Sequence, residues 1–536
     1  MYDYIIVGAG SAGCVIANRL SVDPACKVLL LEAGGEDSAP MIHIPATFMG
    51  LQDTPIDWGY RTVTQAHLNG RRIFSPRGRV LGGSSSINYM MYVRGNRLDF
   101  DHWRDLGNTG WGYDDVLPYF RRSEDNREFN NQYHGTGGPL TVSSYAAPHP
   151  WGQRFIDAAQ HSGMPLNPDF NGASQHGCGF YQATIRDGQR CSTARAFLEP
   201  AKSRPNLTIQ THATATKIVI ENDRAVGLDY LCRGVLEHAR AASEVVLCGG
   251  AFNTPHLLML SGIGHAQDLE KHGIQVKLDL PGVGKNLQDH LAVPVGCEMT
   301  QQFSMGAMSA ADRQAALAQY AQDRTGPMAS NLFEVGGFAS VSDDPAWPEL
   351  QYFFNTSLPK LFPEAPPQAR HGVAVACYVN RPASRGEVTL ASADPLARPV
   401  IDPCYLSDPR DAATAVMGLR RSLEILGATP FESIRGAPQH GLSAGDTDAA
   451  LEAYVRERAT TTWHVSGTCR MGTDAKAVVS ADLRVKGMAQ LRVADASVMP
   501  TVVSGNTNAS VIMIAEKAAD LMRAHQPPSA VAKKMP

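Results

Sequence analysis

Three glycines and one carboxylate near the start of the chain have the types and spacing needed to bind a dinucleotide. Gly8-x-Gly10-x-x-Gly13 is followed, 19 residues past Gly13, by Glu32. Gly8 permits a tight turn, Gly10 lets a pyrophosphate approach the backbone, and Gly13 lets a helix pack close to a strand. The phosphates then face the unpaired N–H groups at the positive end of that helix, with Ser11 among their contacts. Glu32 can accept hydrogen bonds from both ribose hydroxyls, and it would repel a 2′-phosphate, which disfavours NADP.

The flanking residues supply the elements this chemistry needs. Residues 4–7 (Tyr-Ile-Ile-Val) form a short β-branched run of the kind found in buried parallel strands. Residues 15–20 carry an apolar helical face, and residues 27–31 form a second strand ending at Glu32. The whole is a βαβ unit of about thirty residues, the context that gives the glycine pattern its meaning.

The fingerprint alone does not separate FAD from NAD, because both contain an ADP half. Two later segments favour FAD. Glu32-Ala33-Gly34-Gly35 stays glycine-rich beyond the acid, as backbone passing close to a bulky ligand would be. A second Gly/Ser-rich loop, residues 77–88 with Arg79, Gly82, Gly83 and Asn88, offers N–H and hydroxyl donors to a pyrophosphate or an isoalloxazine edge.

Composition sets outer limits. A chain of 536 residues holds roughly three to four domains' worth of material. Lys+Arg total 48 against Asp+Glu 52, so there is no basic excess to neutralise a nucleic-acid backbone. The N-terminus MYDYIIVGAG lacks a secretory signal, and no run of 18 apolar residues occurs. The ten cysteines form no Cys-x-x-Cys pair and no cluster with zinc spacing, so no metal site is expected. Reduced thiols and a cytoplasmic location follow, with peripheral attachment to the inner membrane left open.

Four blocks make the chain resemble the glucose–methanol–choline (GMC) family of flavin oxidoreductases. They are the N-terminal unit, GRVLGGSSSINYMMYVRGNRLDFD (78–101), GAFNTPHLLMLSGIG (250–264), and the pair WHVSGTCRMG (463–472) with LRVADASVMPTVVSGNTNASVIMIAEKAADLM (491–522). Weaker echoes include DLPGVGKNLQDH and RPASRGEVTL. The resemblance is full length, and its wording is closest to bacterial alcohol, polyethylene glycol and choline dehydrogenases. It implies a Rossmann-like FAD-binding domain of the α/β type and an interleaved α+β substrate domain with an antiparallel sheet. The corresponding segments are 1–145, 201–300 and 464–524 for FAD, 146–200 and 301–463 for substrate, and a flexible tail at 525–536. Residues 208–211, 217–220, 244–247, 348–355 and 373–380 read as strands, and 310–324 as a helix.

The resemblance also implies the site. His464 is the expected general base, taking the hydroxyl proton of a primary alcohol while a hydride leaves the carbon for flavin N5. Taken alone, one His among 17 is more often a structural residue. Asn506 matches the family's second catalytic position, with Asn508 as fallback. An amide is no base at neutral pH, but it can hold the substrate oxygen. Either asparagine can instead cap the helix that begins near Ala509. The positive end of that helix is expected at the flavin N1–C2=O region.

Asn88, Gly82 and Gly83 are expected along the flavin, Ala215 at the adenine, and Asp495 at the ribityl or pyrophosphate, unless Asp495 is a turn cap. Some relatives attach FAD through a His where this chain has Ile87, so noncovalent FAD is expected. Trp463 is a candidate apolar wall or a core residue. Glu334 matches a carboxylate used by choline-active relatives but also occurs in relatives acting on neutral alcohols. Phe333, its neighbour, would point elsewhere if the segment is a strand. His371 is a further candidate pocket residue. The expected electron acceptor is a quinone or carrier. The alternatives are O2, with peroxide as product, a choline dehydrogenase, and a hydroxynitrile lyase that keeps FAD structurally. Activity is expected to rise with pH through the imidazole pKa.

Overall fold

Five parallel strands form the frame on which the N-terminal motif is mounted. A computed structural model describes residues 1–302, 304–342, 344–358 and 370–524; the expected tail at 525–536 lies outside them. Strand Tyr2–Val7 lies between Val28–Leu31 and the end of Val235–Leu247, with Ile5 opposite Leu29 on one side and Val245 on the other. Leu207–Gln210 extends the sheet at one edge and Leu491–Val493 at the other. Residues 4–7 and 28–31 are buried throughout, which is why both runs are apolar without alternation. The long strand Val235–Leu247 begins elsewhere, in an antiparallel meander with Ala213–Glu221 and Arg224–Cys232, before entering the parallel sheet.

The first helix, Ser11–Leu20, and the last, Asn508–Ala524, pack side by side. Ser11 Oγ donates to Asn508 Oδ1 at 2.7 Å, and Arg19 pairs with the fully buried Glu516 at 2.7 Å. The two helix N-termini therefore come together, although 497 residues separate Ser11 from Asn508.

A second, antiparallel sheet runs in the order Arg435–Pro438, Leu291–Met299, Gly372–Val379, Leu350–Asn355, Val335–Ala339, Gly177–Phe180. Its side chains alternate between two fates, as the period of a strand requires. Leu350, Tyr352, Phe354, Val375 and Cys377 join a core with the helices Pro150–His161 and Pro409–Gly427. Phe353, Tyr378 and Ala292 face the other way, into a small aromatic cluster with Tyr181 and Phe338. The expected strands and the 310–324 helix are found, the helix as Ala310–Asp323. Leu291–Met299, from the segment expected in the FAD unit, pairs with Gly372–Val379 in this second sheet.

Candidate active site

The first helix starts on a cradle built from the three glycines. Gly8 has φ +98°, and a Cβ on Gly13 would lie 1.9 Å from the Gly8 carbonyl oxygen, so the helix sits directly on the turn. A Cβ on Gly10 would meet nothing nearer than Gly83 Cα, at 3.9 Å. Gly10 is the N-cap and provides no side-chain bond, which leaves the helix's first N–H groups available. The second glycine loop closes against the first: Gly82 and Gly83 have positive φ, and a Cβ on Gly83 would lie 2.6 Å from Gly10 Cα.

Glu32 is buried, and its carboxylate accepts from Ala9 N at 3.0 Å and Gly34 N at 2.8 Å. Burial pushes its pKa up to about 7, against these two donors and Arg79, which favour the anion. Arg79 lies over the Trp58 ring at 5.0 Å. Ala213 N donates to Glu32 O, which brings the start of the 213–221 strand, with the half-buried Ala215, beside the half-buried Ala33. Open helix N–H groups, a glycine floor and a carboxylate at the end of the second strand fit FAD. Asn88 is held by Arg190, whose Nη1 donates to its Oδ1 at 2.8 Å and its O at 2.7 Å. Ile87 is packed with Ile42, Leu51 and Val80.

Asp495 is engaged by the protein's own donors. Its carboxylate accepts from Gly250 N, Thr254 Oγ1 and Ser497 N. It therefore caps two turns at the base of the cradle, the alternative that its sequence context left open. Asn508 is the first residue of the last helix and spends its side-chain oxygen on Ser11.

His464 and Asn506 meet. Asn506 Nδ2 lies 3.2 Å from His464 Nε2, and Asn506 Oδ1 accepts from Gln351 Nε2 at 3.3 Å. On its other side, His464 Nδ1 lies 2.9 Å from His290 Nδ1 and 3.0 Å from Thr462 Oγ1. His290 Nε2 lies 2.9 Å from the Asn380 carbonyl oxygen, which can only accept, so that nitrogen carries a proton. Burial lowers the His290 pKa to about 4, so the ring is neutral and its Nδ1 is bare. His464 must then donate from Nδ1, which leaves its Nε2 lone pair beside Asn506. Burial, and after it His290 and Arg77, hold His464 well below the usual imidazole range.

The backbone around His464 is held under strain. Trp463, a bulky residue, has φ +66°. Its N donates to Thr461 Oγ1 at 2.7 Å, and its carbonyl accepts from the half-buried Arg77 at 2.5 Å. Asp289 completes the grip: its Oδ1 accepts from His464 N and His290 N, and its Oδ2 from Tyr405 OH and Thr461 Oγ1.

Aromatic rings connect Trp463 back to His464. Trp463 meets Tyr89 edge-on at 5.0 Å, and Tyr89 stacks on Phe333 at 4.8 Å. Phe333 meets Phe353 at 5.8 Å, Phe353 meets Tyr378 at 4.7 Å, and Tyr378 meets His464 at 6.1 Å. Phe333 thus joins this ring set; it precedes the strand Val335–Ala339, so the strand condition under which it would point elsewhere is not met.

Glu334 faces the other way. Its Oε1 accepts from Ser330 Oγ at 2.6 Å and its Oε2 from His149 N at 2.6 Å, at the start of helix Pro150–His161. His371 is remote. It precedes the eight-residue strand Gly372–Val379, whose far end carries Tyr378, and it accepts from Ser304 N. At 3.3 Å per residue that strand removes it by roughly 25 Å. Asp289, His290, Gln351, Tyr89, Phe353 and Tyr378 were not singled out from sequence, although Asp289-His290 ends the DLPGVGKNLQDH echo.

Among the described residues no helix is long and apolar enough to cross a membrane. The GMC oxidoreductase N-terminal family model matches residues 2–292 and the C-terminal model residues 382–515. An alcohol dehydrogenase [acceptor] of Pseudomonas putida is 44% identical over 530 residues, covering 97% of this chain and 96% of the relative. The mitochondrial choline dehydrogenase of Homo sapiens is 41% identical, covering 97% and 90%. The crystal structure of pyridoxine 4-oxidase from Mesorbium loti superposes with TM-score 0.90 at 32% identity, covering 98% of this chain and 100% of that one. With one family model spanning more than half of the sequence and relatives aligned over nearly all of it, the chain belongs to the GMC oxidoreductases and is an FAD-dependent oxidoreductase acting on alcohols.

Proposed function

We propose that the protein oxidises a neutral primary alcohol, aliphatic or benzylic, to the aldehyde and passes the electrons to a quinone-type acceptor. FAD, when bound, supplies the hydride acceptor. His464 Nε2 receives the hydroxyl proton, since its lone pair is the only one the ring can present while Nδ1–H is committed to His290. Asn506 Nδ2 donates to the same oxygen and stabilises the negative charge as it develops. The observation that carries this reading is the hydrogen-bond chain from Asn380 through His290 to His464, which fixes the base's tautomer. The aromatic ring set from Trp463 to Tyr378 excludes water and favours an apolar substituent on the alcohol. The relative named for an unspecified acceptor supports a carrier over O2.

Choline is the second reading. Aromatic rings attract a quaternary ammonium, and choline dehydrogenases are about 41% identical. Against it, Glu334 is committed to Ser330 and His149 N and does not join the ring set. FAD is proposed to be noncovalent, because Ile87 has no group that can bond to it. The test is anaerobic mixing with a panel of alcohols that includes choline, followed by air. Bleaching of the flavin by neutral primary alcohols, with slow return of colour in air and fast return with a quinone, is the expected result. No bleaching by any alcohol would overturn the reading, and fast reoxidation by air would make the protein an oxidase. A flavin that stays with acid-precipitated protein would refute noncovalent attachment.

A further inference from the structure

We propose that Asp99 is a positioning residue for Asn506, acting through Ser504. The proposal rests on the reading that Asn506 holds the alcohol oxygen. Asp99 is buried, and among the described residues every hydrogen-bond donor to its carboxylate is neutral. Its Oδ2 accepts from Ser504 N at 2.6 Å and Asn96 N at 2.8 Å. Its Oδ1 accepts from Ser504 Oγ at 2.9 Å and Trp347 Nε1 at 2.8 Å. The remaining polar atom of Ser504, its carbonyl oxygen, accepts from Gln175 Nε2 at 3.0 Å. All three polar atoms of a residue two positions before Asn506 are therefore fixed.

The step between the two has no slack. Gly505 has φ +111°, and a Cβ there would lie 2.7 Å from Val93 Cγ1. Holding Ser504 consequently holds Asn506, whose amide must keep its place against His464 Nε2. Three parts of the chain meet on this one carboxylate. They are the start of helix Arg97–Asp105, the 346–347 turn before strand Leu350–Asn355 of the substrate-side sheet, and the loop leading to the last helix. Four donors converging on two oxygens require an ionised carboxylate, because an amide would turn an N–H towards some of those donors. Burying a charge without a cationic partner is costly, and such a group persists where its hydrogen bonds do something neutral side chains cannot.

The test is a double-mutant cycle on the holoenzyme with Asp99→Asn, Asn506→Ala and the double variant. Its readouts are the anaerobic rate of flavin reduction by a saturating alcohol, together with FAD content and Tm. Removing a preorganised donor costs about 10²-fold or more, and mispositioning it should cost about tenfold. The expected result is a tenfold loss in Asp99→Asn at full FAD content and a double variant no slower than Asn506→Ala. A wild-type rate in Asp99→Asn, or losses that multiply in the double variant, would overturn the proposal. A wild-type rate in Asn506→Ala would instead remove the reading beneath it. Should Asp99→Asn fail to fold, Ser504→Ala takes its place in the same cycle, with the same outcomes decisive.

Discussion

His464 Nδ1 and His290 Nδ1 lie 2.9 Å apart, with the second ring anchored on the Asn380 carbonyl, so two buried imidazoles share one proton direction. A histidine free to rotate presents either nitrogen to a substrate; this one presents only Nε2. Replacing His464 by Ala should slow flavin reduction by about 10²-fold or more, with FAD still bound, because the proposed general base is lost and the cradle is not touched. Stopped-flow reduction at saturating alcohol measures this, and an unchanged rate would reject the assignment.

His290→Phe keeps the volume of the ring and removes its acceptor. His464 Nδ1 is then left with Thr462 Oγ1 alone, and the tautomer preference weakens. The expected loss is about tenfold in the reduction rate with alcohol affinity little changed, since nothing that binds substrate has moved. Equal loss in both parameters would point to a collapsed pocket.

The simple reading of an imidazole base puts the rise of activity near the ordinary histidine pKa. Burial, His290 and Arg77 hold His464 well below that value. A base is active when neutral, so activity is present above its pKa and lost as pH falls through it. With that pKa depressed, the reduction rate should be flat from pH 7 to 9 and decline only on the acid side of the usual histidine range. A midpoint at or above pH 7 would contradict the burial seen here.

Local signals were legible and long-range ones were not. Gly8, Gly10, Gly13 and Glu32 act within one βαβ unit, so their spacing reads directly as geometry. His464 and Asn506 were found by the blocks around them, and no periodicity would have paired them. His290 lies 174 residues from His464, and the backbone pairings of Leu291 with Thr461 and of Gln288 with Ser466 bring the two together. His371 and Tyr378 differ by seven positions in sequence, yet the extended strand between them separates one from the site and keeps the other in it. The positive φ of Trp463 has no sequence signal, since Trp is a residue that resists that conformation.

Gly13→Ala should release the cofactor. The new methyl would have to sit 1.9 Å from the Gly8 carbonyl oxygen, so the helix must retreat from the turn. Such overpacking costs about 1–3 kcal/mol, about ten- to hundredfold if it falls on FAD affinity. The variant should purify pale and gain colour only at high added FAD, measured by flavin fluorescence quenching. Full yellow occupancy would show that the turn tolerates the shift.

The same burial that keeps the two histidines neutral makes them acid-sensitive. His290 has its pKa lowered from 6.5 to about 4 by desolvation. Below pH 6.5 the unfolded chain binds this proton and the folded chain does not, so stability is full above that pH and falls as pH drops. At 1.36 kcal/mol per unit, the loss by pH 5 is about 2 kcal/mol. The buried carboxyls Asp289, Asp99 and Glu32 are raised by burial and act in the opposite sense. They are common to wild type and His290→Phe, so the difference between the two removes their contribution and reads the histidine pair. In urea unfolding, the stability advantage of wild type over the variant should shrink by about 2 kcal/mol between pH 7 and 5; a constant difference would mean that His290 takes up its proton without leaving the fold.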